Sequence, residues 1–145
     1  MDEETKREII MQHYMQPEHR RDGEEKGYIK VNTANSSCID NLDIFTQIEQ
    51  GRIKDIYFHG EACAISTSSV SIMIKNLIGK RVEEALKFIE NFESMINEEE
   101  YDQDLLKEAN AYNEIYKQSN RKNCAYLPYK GIKKVLTEYL KKDTN

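Results

Sequence analysis

Between Tyr28 and His59 apolar residues recur at every second position, and from Cys63 onward they recur every third or fourth. That single change of period is the strongest constraint on the chain. Strands gathered first and helices gathered after describe an α+β fold, not an alternating βαβ one. The switch falls inside Gly60-Glu61-Ala62-Cys63-Ala64-Ile65-Ser66-Thr67-Ser68-Ser69. One thiol is therefore expected where a strand stops and a helix begins.

The elements follow from this frame. Residues 3–16 are predicted to form a short amphipathic helix with Ile9, Ile10 and Tyr14 on one face, ended by Pro17. Glu18 to Gly27 is charged and holds two glycines, so it is expected to be loop. Three strands are predicted: Tyr28–Thr33, Asn41–Glu49 and Arg52–His59, with Gln50-Gly51 as a tight turn. In the second, Leu42, Ile44 and Ile48 should face inward, and Asp43, Phe45 and Gln47 outward. Helical stripes follow. Val70, Met73, Ile74 and Leu77 form the first, ended by Gly79. Val82, Ala85, Leu86, Ile89 and Phe92 form the second. Leu105, Ala109, Tyr112 and Tyr116 mark a third, after an acidic loop at 97–100. Ser119–Asn123 reads as a polar connection before a last helix carrying Ile132, Val135, Leu136, Tyr139 and Leu140. Pro128 fits only if it falls in that helix's first turn. The expectation is a small antiparallel three-stranded sheet covered by about five helices, in one domain spanning residues 1–145.

Composition narrows the function. A net charge of -5 argues against a nucleic-acid partner, and the lysines near the C-terminus read as a solvated helix face. No apolar run approaches the ~20 residues of a membrane span, and the N-terminus lacks a signal-peptide layout. A cytoplasmic protein is expected, and there thiols bind metal or react more often than they pair. The cysteines are three, Cys38, Cys63 and Cys124, an odd number for a disulfide framework. Each is predicted at an element boundary. Cys38 and Asp40, two apart in an extended loop, project to one side. Cys63 and Cys124 are each expected just before a helix, where the positive end favours a thiolate. His13, His19 and His59 are further candidate ligands. Spacing alone leaves a second reading open, in which three scattered cysteines simply pack in the core.

Four segments carry a resemblance. They are Ile9-Ile10-Met11-Gln12-His13-Tyr14 with Pro17, Ser37-Cys38-Ile39-Asp40, the Cys63 segment through Ser69, and Arg121-Lys122-Asn123-Cys124-Ala125-Tyr126-Leu127. Together they resemble the IscU/NifU/SufU family of iron–sulfur cluster assembly proteins. Three ordered cysteines, with an aspartate two after the first, match that family's active-site pattern. The long interval from Cys63 to Cys124, Asn123 in place of a histidine, and Arg121 three residues before Cys124 are similar to the SufU type. Three positions depart from the family. Ile39 and Ala62 stand where glycines are usual, and Tyr126 stands where serine or threonine is.

The resemblance implies a zinc site of Cys38, Asp40, Cys63 and Cys124 at the sheet–helix rim, with aspartate tuning the metal more than anchoring it. It also implies a pyridoxal-phosphate cysteine desulfurase of SufS type as partner. Cys38 would then accept the persulfide sulfur, with Arg121 steadying the charge beside it. Downstream, a separate scaffold or apo-acceptor protein would take the sulfur on. The alternative within the family is a scaffold on which a transient [2Fe–2S] cluster is built on the same four residues. A structural zinc domain without transfer chemistry is the third reading.

Overall fold

A computed structural model of the chain describes residues 1–143. Thr144 and Asn145, the last two residues of the expected domain, lie outside the described residues. Helix α1 (Glu3–Met15) leads into a three-stranded antiparallel sheet of order β1-β2-β3: β1 (Ile29–Ala34), β2 (Asn41–Glu49) and β3 (Arg52–Glu61). Helices α2 (Ala64–Leu77), α3 (Val82–Ile96), a four-residue α4 (Gln103–Leu106) and the long α5 (Ser119–Asp143) follow. The α+β layout is as the change of period predicts.

The inner sheet face carries Leu42, Ile44, Ile56 and Phe58, all fully buried, and register places Ile44 opposite Phe58. The outer face differs from expectation. Phe45 is 2 % exposed and stacks on Tyr57, ring centroids 4.6 Å apart. The stretch expected to be free loop runs beside β3 and closes over Tyr57, whose hydroxyl accepts the Glu25 amide at 2.9 Å. Arg21 donates its amide to the Phe58 carbonyl (3.1 Å), and Phe58 donates back to the His19 carbonyl (3.2 Å). The Arg21 guanidinium lies 4.1 Å from the Tyr57 ring centroid. Alternation predicted one apolar face, and an aromatic pair under a strap of chain makes a second.

Two helical expectations also change. The predicted third helix breaks into α4 and two 3₁₀ turns, Lys107–Tyr112 and Ile115–Lys117. Tyr14 is exposed, and α1 instead buries Lys6 and His13.

Helix α2 is the centre of the packing. Val70, Met73, Ile74 and Leu77 are buried as predicted, but so are Ser66 to Ser71 on its other sides. A helix buried all round must satisfy its hydroxyls internally. Ser68 pairs with the Tyr112 hydroxyl at 2.6 Å. Ser69 donates to the Ala125 carbonyl at 2.5 Å. Ser71 Oγ lies 2.7 Å from His13 Nδ1 and accepts the Glu18 amide at 2.7 Å. The serine run thus ties α2 to α1, to the 3₁₀ turn and to α5.

Candidate metal centre

The site forms where the β1–β2 turn, the β3–α2 junction and the start of α5 meet. Gly60 steers the chain into it. Its φ is +129°, and a Cβ there would sit 2.2 Å from the Asn41 carbonyl oxygen of the neighbouring strand. Only glycine allows that approach. Three residues on, Cys63 caps α2, its sulfur accepting the Ser66 amide at 3.5 Å. The turn that presents Cys38 is organised by Asn35. The Asn35 amide donates to the Asp40 carbonyl (3.0 Å), and its own carbonyl accepts the Cys38 amide (3.1 Å). Its side-chain oxygen accepts the Ser37 amide and hydroxyl. Ile39 adopts no positive φ and is 66 % exposed, so the turn closes without the glycine usual at that place.

The ligand atoms of Cys38, Asp40, Cys63 and Cys124 all lie within 4.8 Å of one another. The packing-only reading of the cysteines does not account for this convergence. Three sulfurs and one carboxylate oxygen at that spacing suit a tetrahedral ion held by thiolates. The histidines lie elsewhere: His13 contacts Ser71 and Glu108, His19 contacts Asp55, and His59 is 3.9 Å from Asp43.

The four differ in how firmly they are held. Asp40 is 2 % exposed and the most tightly fixed. It accepts the Cys63 amide at 2.7 Å and the Ser66 hydroxyl at 2.5 Å. Burial raises its pKa, but those bonds and the thiols of Cys124 and Cys63 outweigh burial and hold it below the usual carboxylate value. Cys124 is 6 % exposed. Burial, then Asp40 and Cys63, push its thiol well above the ordinary value. A bound cation would reverse that sign and hold the sulfur deprotonated. Cys63 is half-buried and Cys38 is exposed.

Cys124 does not precede its helix. Helix α5 starts at Ser119, so the supposed polar connection is its first turn, and Pro128 lies in the interior. Proline supplies no amide to the carbonyl four residues back. That carbonyl belongs to Cys124, and the Ser66 hydroxyl reaches it at 3.0 Å. Arg121 is exposed on the same first turn. With Asn35, Cys38, Cys63, Ile65 and Cys124 it lines an open cleft of about 560 Å³. Ser66 and Asn35 escaped sequence reasoning. The one available signal was a serine three residues after a capping thiol, the position whose amide meets a cap.

Residues 5–145 match the family model described as the NifU-like N terminal domain. The chain is 36% identical over 70% of its length, and 72% of the relative's, to a Thermotoga maritima protein named iron–sulfur cluster assembly scaffold protein IscU. It is 33% identical over 88% of its length, and 86% of the relative's, to the zinc-dependent sulfurtransferase SufU of Bacillus subtilis. A crystal structure described as a putative iron–sulfur cluster assembly scaffold protein for the SUF system, from Fervidobacterium islandicum AW-1, superposes with a TM-score of 0.80. It has 29% identity and covers 89% of this chain and 94% of that one. With its cysteine–aspartate cluster, its strands-then-helices order and a match running almost from end to end, the chain belongs to the family of NifU-like N-terminal domains.

Proposed function

We propose that this protein is a zinc-bound sulfur acceptor in iron–sulfur cluster assembly, taking persulfide sulfur from a cysteine desulfurase in the cytoplasm. One observation carries the reading. Among four converging donors Cys38 alone is exposed, while Asp40 and Cys124 are buried and Cys63 is half-buried. Three fixed donors can keep an ion while the fourth, on a surface turn, meets a partner.

Zinc on Cys38, Asp40, Cys63 and Cys124 would supply charge that keeps the thiols deprotonated without redox chemistry of its own. The remaining work falls to the chain. The Cys38 thiolate attacks the terminal sulfur of the desulfurase persulfide. The S–S bond of the donor breaks, its cysteine leaves as thiolate, and the sulfur and its proton stay on Cys38 as a new persulfide. No electron is gained or lost overall. Arg121, at the cleft wall, offsets the negative charge gathered at the reacting sulfurs. The SufU name of one relative supports this reading.

A scaffold role, with a [2Fe–2S] cluster built on the same donors and passed to acceptor proteins, is the second reading. It is favoured by the name of the Thermotoga relative and by the three-sulfur donor set. Metal analysis of anaerobically purified protein separates the two, zinc supporting the first and iron with sulfide the second. For the first, desulfurase turnover of cysteine to alanine should rise when this chain is added and not when Cys38→Ala is added. Equal rates with both would overturn it.

A further inference from the structure

We propose that the outer face of α5 is a docking track for an acidic segment of the partner protein that exchanges sulfur at Cys38. Only the partner's role rests on the reading above; the track stands on its own geometry.

The charge of the chain is unevenly placed. Residues 119–143 hold seven lysines and arginines against two acids, +5, so the remainder stands at -10 for the chain total of -5. At 3.6 residues per turn, Lys122, Tyr126, Lys130, Lys133, Lys134 and Lys141 fall on one face, a stripe about 28 Å long. Unpaired cations are not peculiar to α5, since Arg7, Lys26, Lys87 and Lys107 also meet no carboxylate among the described residues, but on α5 they are gathered on one face while other surface lysines are paired. Lys6, Lys30, Lys54, Lys75 and Lys117 each meet a carboxylate within 3.3 Å. On α5 Lys133 meets Glu93 at 2.9 Å. Arg121, Lys122, Lys130 and Lys134 have none among the described residues. Leaving four cations of one helix unpaired on an acidic protein is a surface set up for an external anion.

Shallow, open clefts lie along the stripe. One cleft, about 330 Å³, runs between Tyr126, Lys130, Lys133, Lys134 and Thr137. The next, about 410 Å³, shares Tyr126 and Lys130 and reaches Asn35. Asn35 in turn borders the cleft of the three cysteines. A chain laid along the lysines therefore ends at Cys38. The Tyr126 hydroxyl donates to Glu93 at 2.5 Å, which fixes its ring as a wall common to both clefts. The track suits a polypeptide better than a nucleic acid, because Glu93 and Glu138 stand beside it. Evenly spaced phosphates would be driven onto those carboxylates, whereas spaced aspartates and glutamates can avoid them.

The test reads binding of a fluorescein-labelled decaglutamate peptide by anisotropy at about 50 mM salt, where surface charge is weakly screened. Lys130→Glu with Lys134→Glu should weaken binding about tenfold or more, and the corresponding glutamine pair by less. Lys26→Glu with Lys87→Glu makes the same change of charge at lysines that line none of these clefts, and should leave binding within about twofold. A decathymidine strand should not displace the peptide. Equal weakening by both pairs, absence of binding, or displacement by decathymidine would each overturn the proposal. Thermal melts and metal content of the variants, unchanged, show that the fold is intact. No desulfurase is present in this measurement. If peptide binding holds while Cys38 fails to take sulfur, the function proposed above falls and the track stands.

Discussion

Pro128 stands one helical turn beyond Cys124, and the carbonyl that the proline leaves without an amide lies 3.0 Å from the Ser66 hydroxyl. The same hydroxyl is 2.5 Å from Asp40 Oδ2. A residue that weakens a helix thus opens a bonding position, and one serine uses it to tie two candidate ligands to α2.

Ser66→Ala should accordingly do two separable things. It removes the one hydroxyl proton shared between the buried Asp40 carboxylate and the Cys124 carbonyl, a loss of about 1–3 kcal/mol. It also frees two candidate ligands to drift, which for supporting residues typically weakens metal binding ~10–100-fold. Denaturant unfolding of metal-free protein reads the first effect, and chelator competition reads the second. A variant with wild-type metal affinity would deny Ser66 its orienting role.

Gly60→Ala should be among the most damaging single changes on the sheet. The new methyl would meet the Asn41 carbonyl at 2.2 Å from a backbone already at positive φ. A cost above ~2 kcal/mol is expected from strain at such a position. The displaced β3–α2 junction should also lower metal occupancy. Ile39→Gly is the counterpart on the neighbouring turn. Ile39 is exposed and needs no positive φ, so its replacement should cost less than ~1 kcal/mol. Thermal melts of both variants check the contrast.

Metal removal should follow the logic of linkage. A ligand that binds the folded state alone at a hundred times its dissociation constant adds ~2.7 kcal/mol. A chelator should therefore lower the melting temperature of the wild-type protein. Cys63→Ala should begin at that lower temperature and show no further fall with chelator. Cys38→Ala, which removes an exposed side chain, should leave the metal-free protein as stable as before. A chelator-dependent shift surviving in Cys63→Ala would place the ion elsewhere.

The outer sheet face should show its own pH dependence. Burial raises the pKa of Asp55, but hydrogen bonds from Tyr28 and Arg21 outweigh it and lower the folded value. A carboxylate lowered on folding stabilises above its unfolded pKa, ~3.9, and that stability fades as pH falls through the folded value. Asp55→Asn should cost about 1–2 kcal/mol at pH 7, and the gap to wild type should close as pH drops below ~4. Urea midpoints at the two pH values decide. A gap of constant size would show that charge at Asp55 is not what holds the strap.

Period alone recovered the three strands, their antiparallel order and the first two helices after Cys63, because a half-buried element writes its burial into spacing. It failed where burial was two-sided or polar. Phe45 alternates as an outward residue, yet it stacks on Tyr57, whose own ring lies under Arg21 from the segment before β1, contact that no local pattern encodes. Ser66 to Ser71 read as small and polar, yet they are buried, since their partners come from segments distant in sequence. Pro128 was placed in a first turn because proline disfavours helix interiors. A hydroxyl from α2 makes the interior position tolerable. The four candidate ligands were legible only through the order of three cysteines and an aspartate, since no spacing rule brings residues 38, 63 and 124 together.

The central claim is that Cys38 is the thiol that receives sulfur, and intact-protein and peptide mass spectrometry tests it most directly. The protein is incubated anaerobically with a cysteine desulfurase and cysteine, alkylated and mapped. The account predicts a gain of one sulfur atom, about 32 Da, on the peptide containing Cys38, and none on Cys38→Ala. Sulfur found on Cys124 instead, or no adduct on protein that still holds its metal, would contradict it.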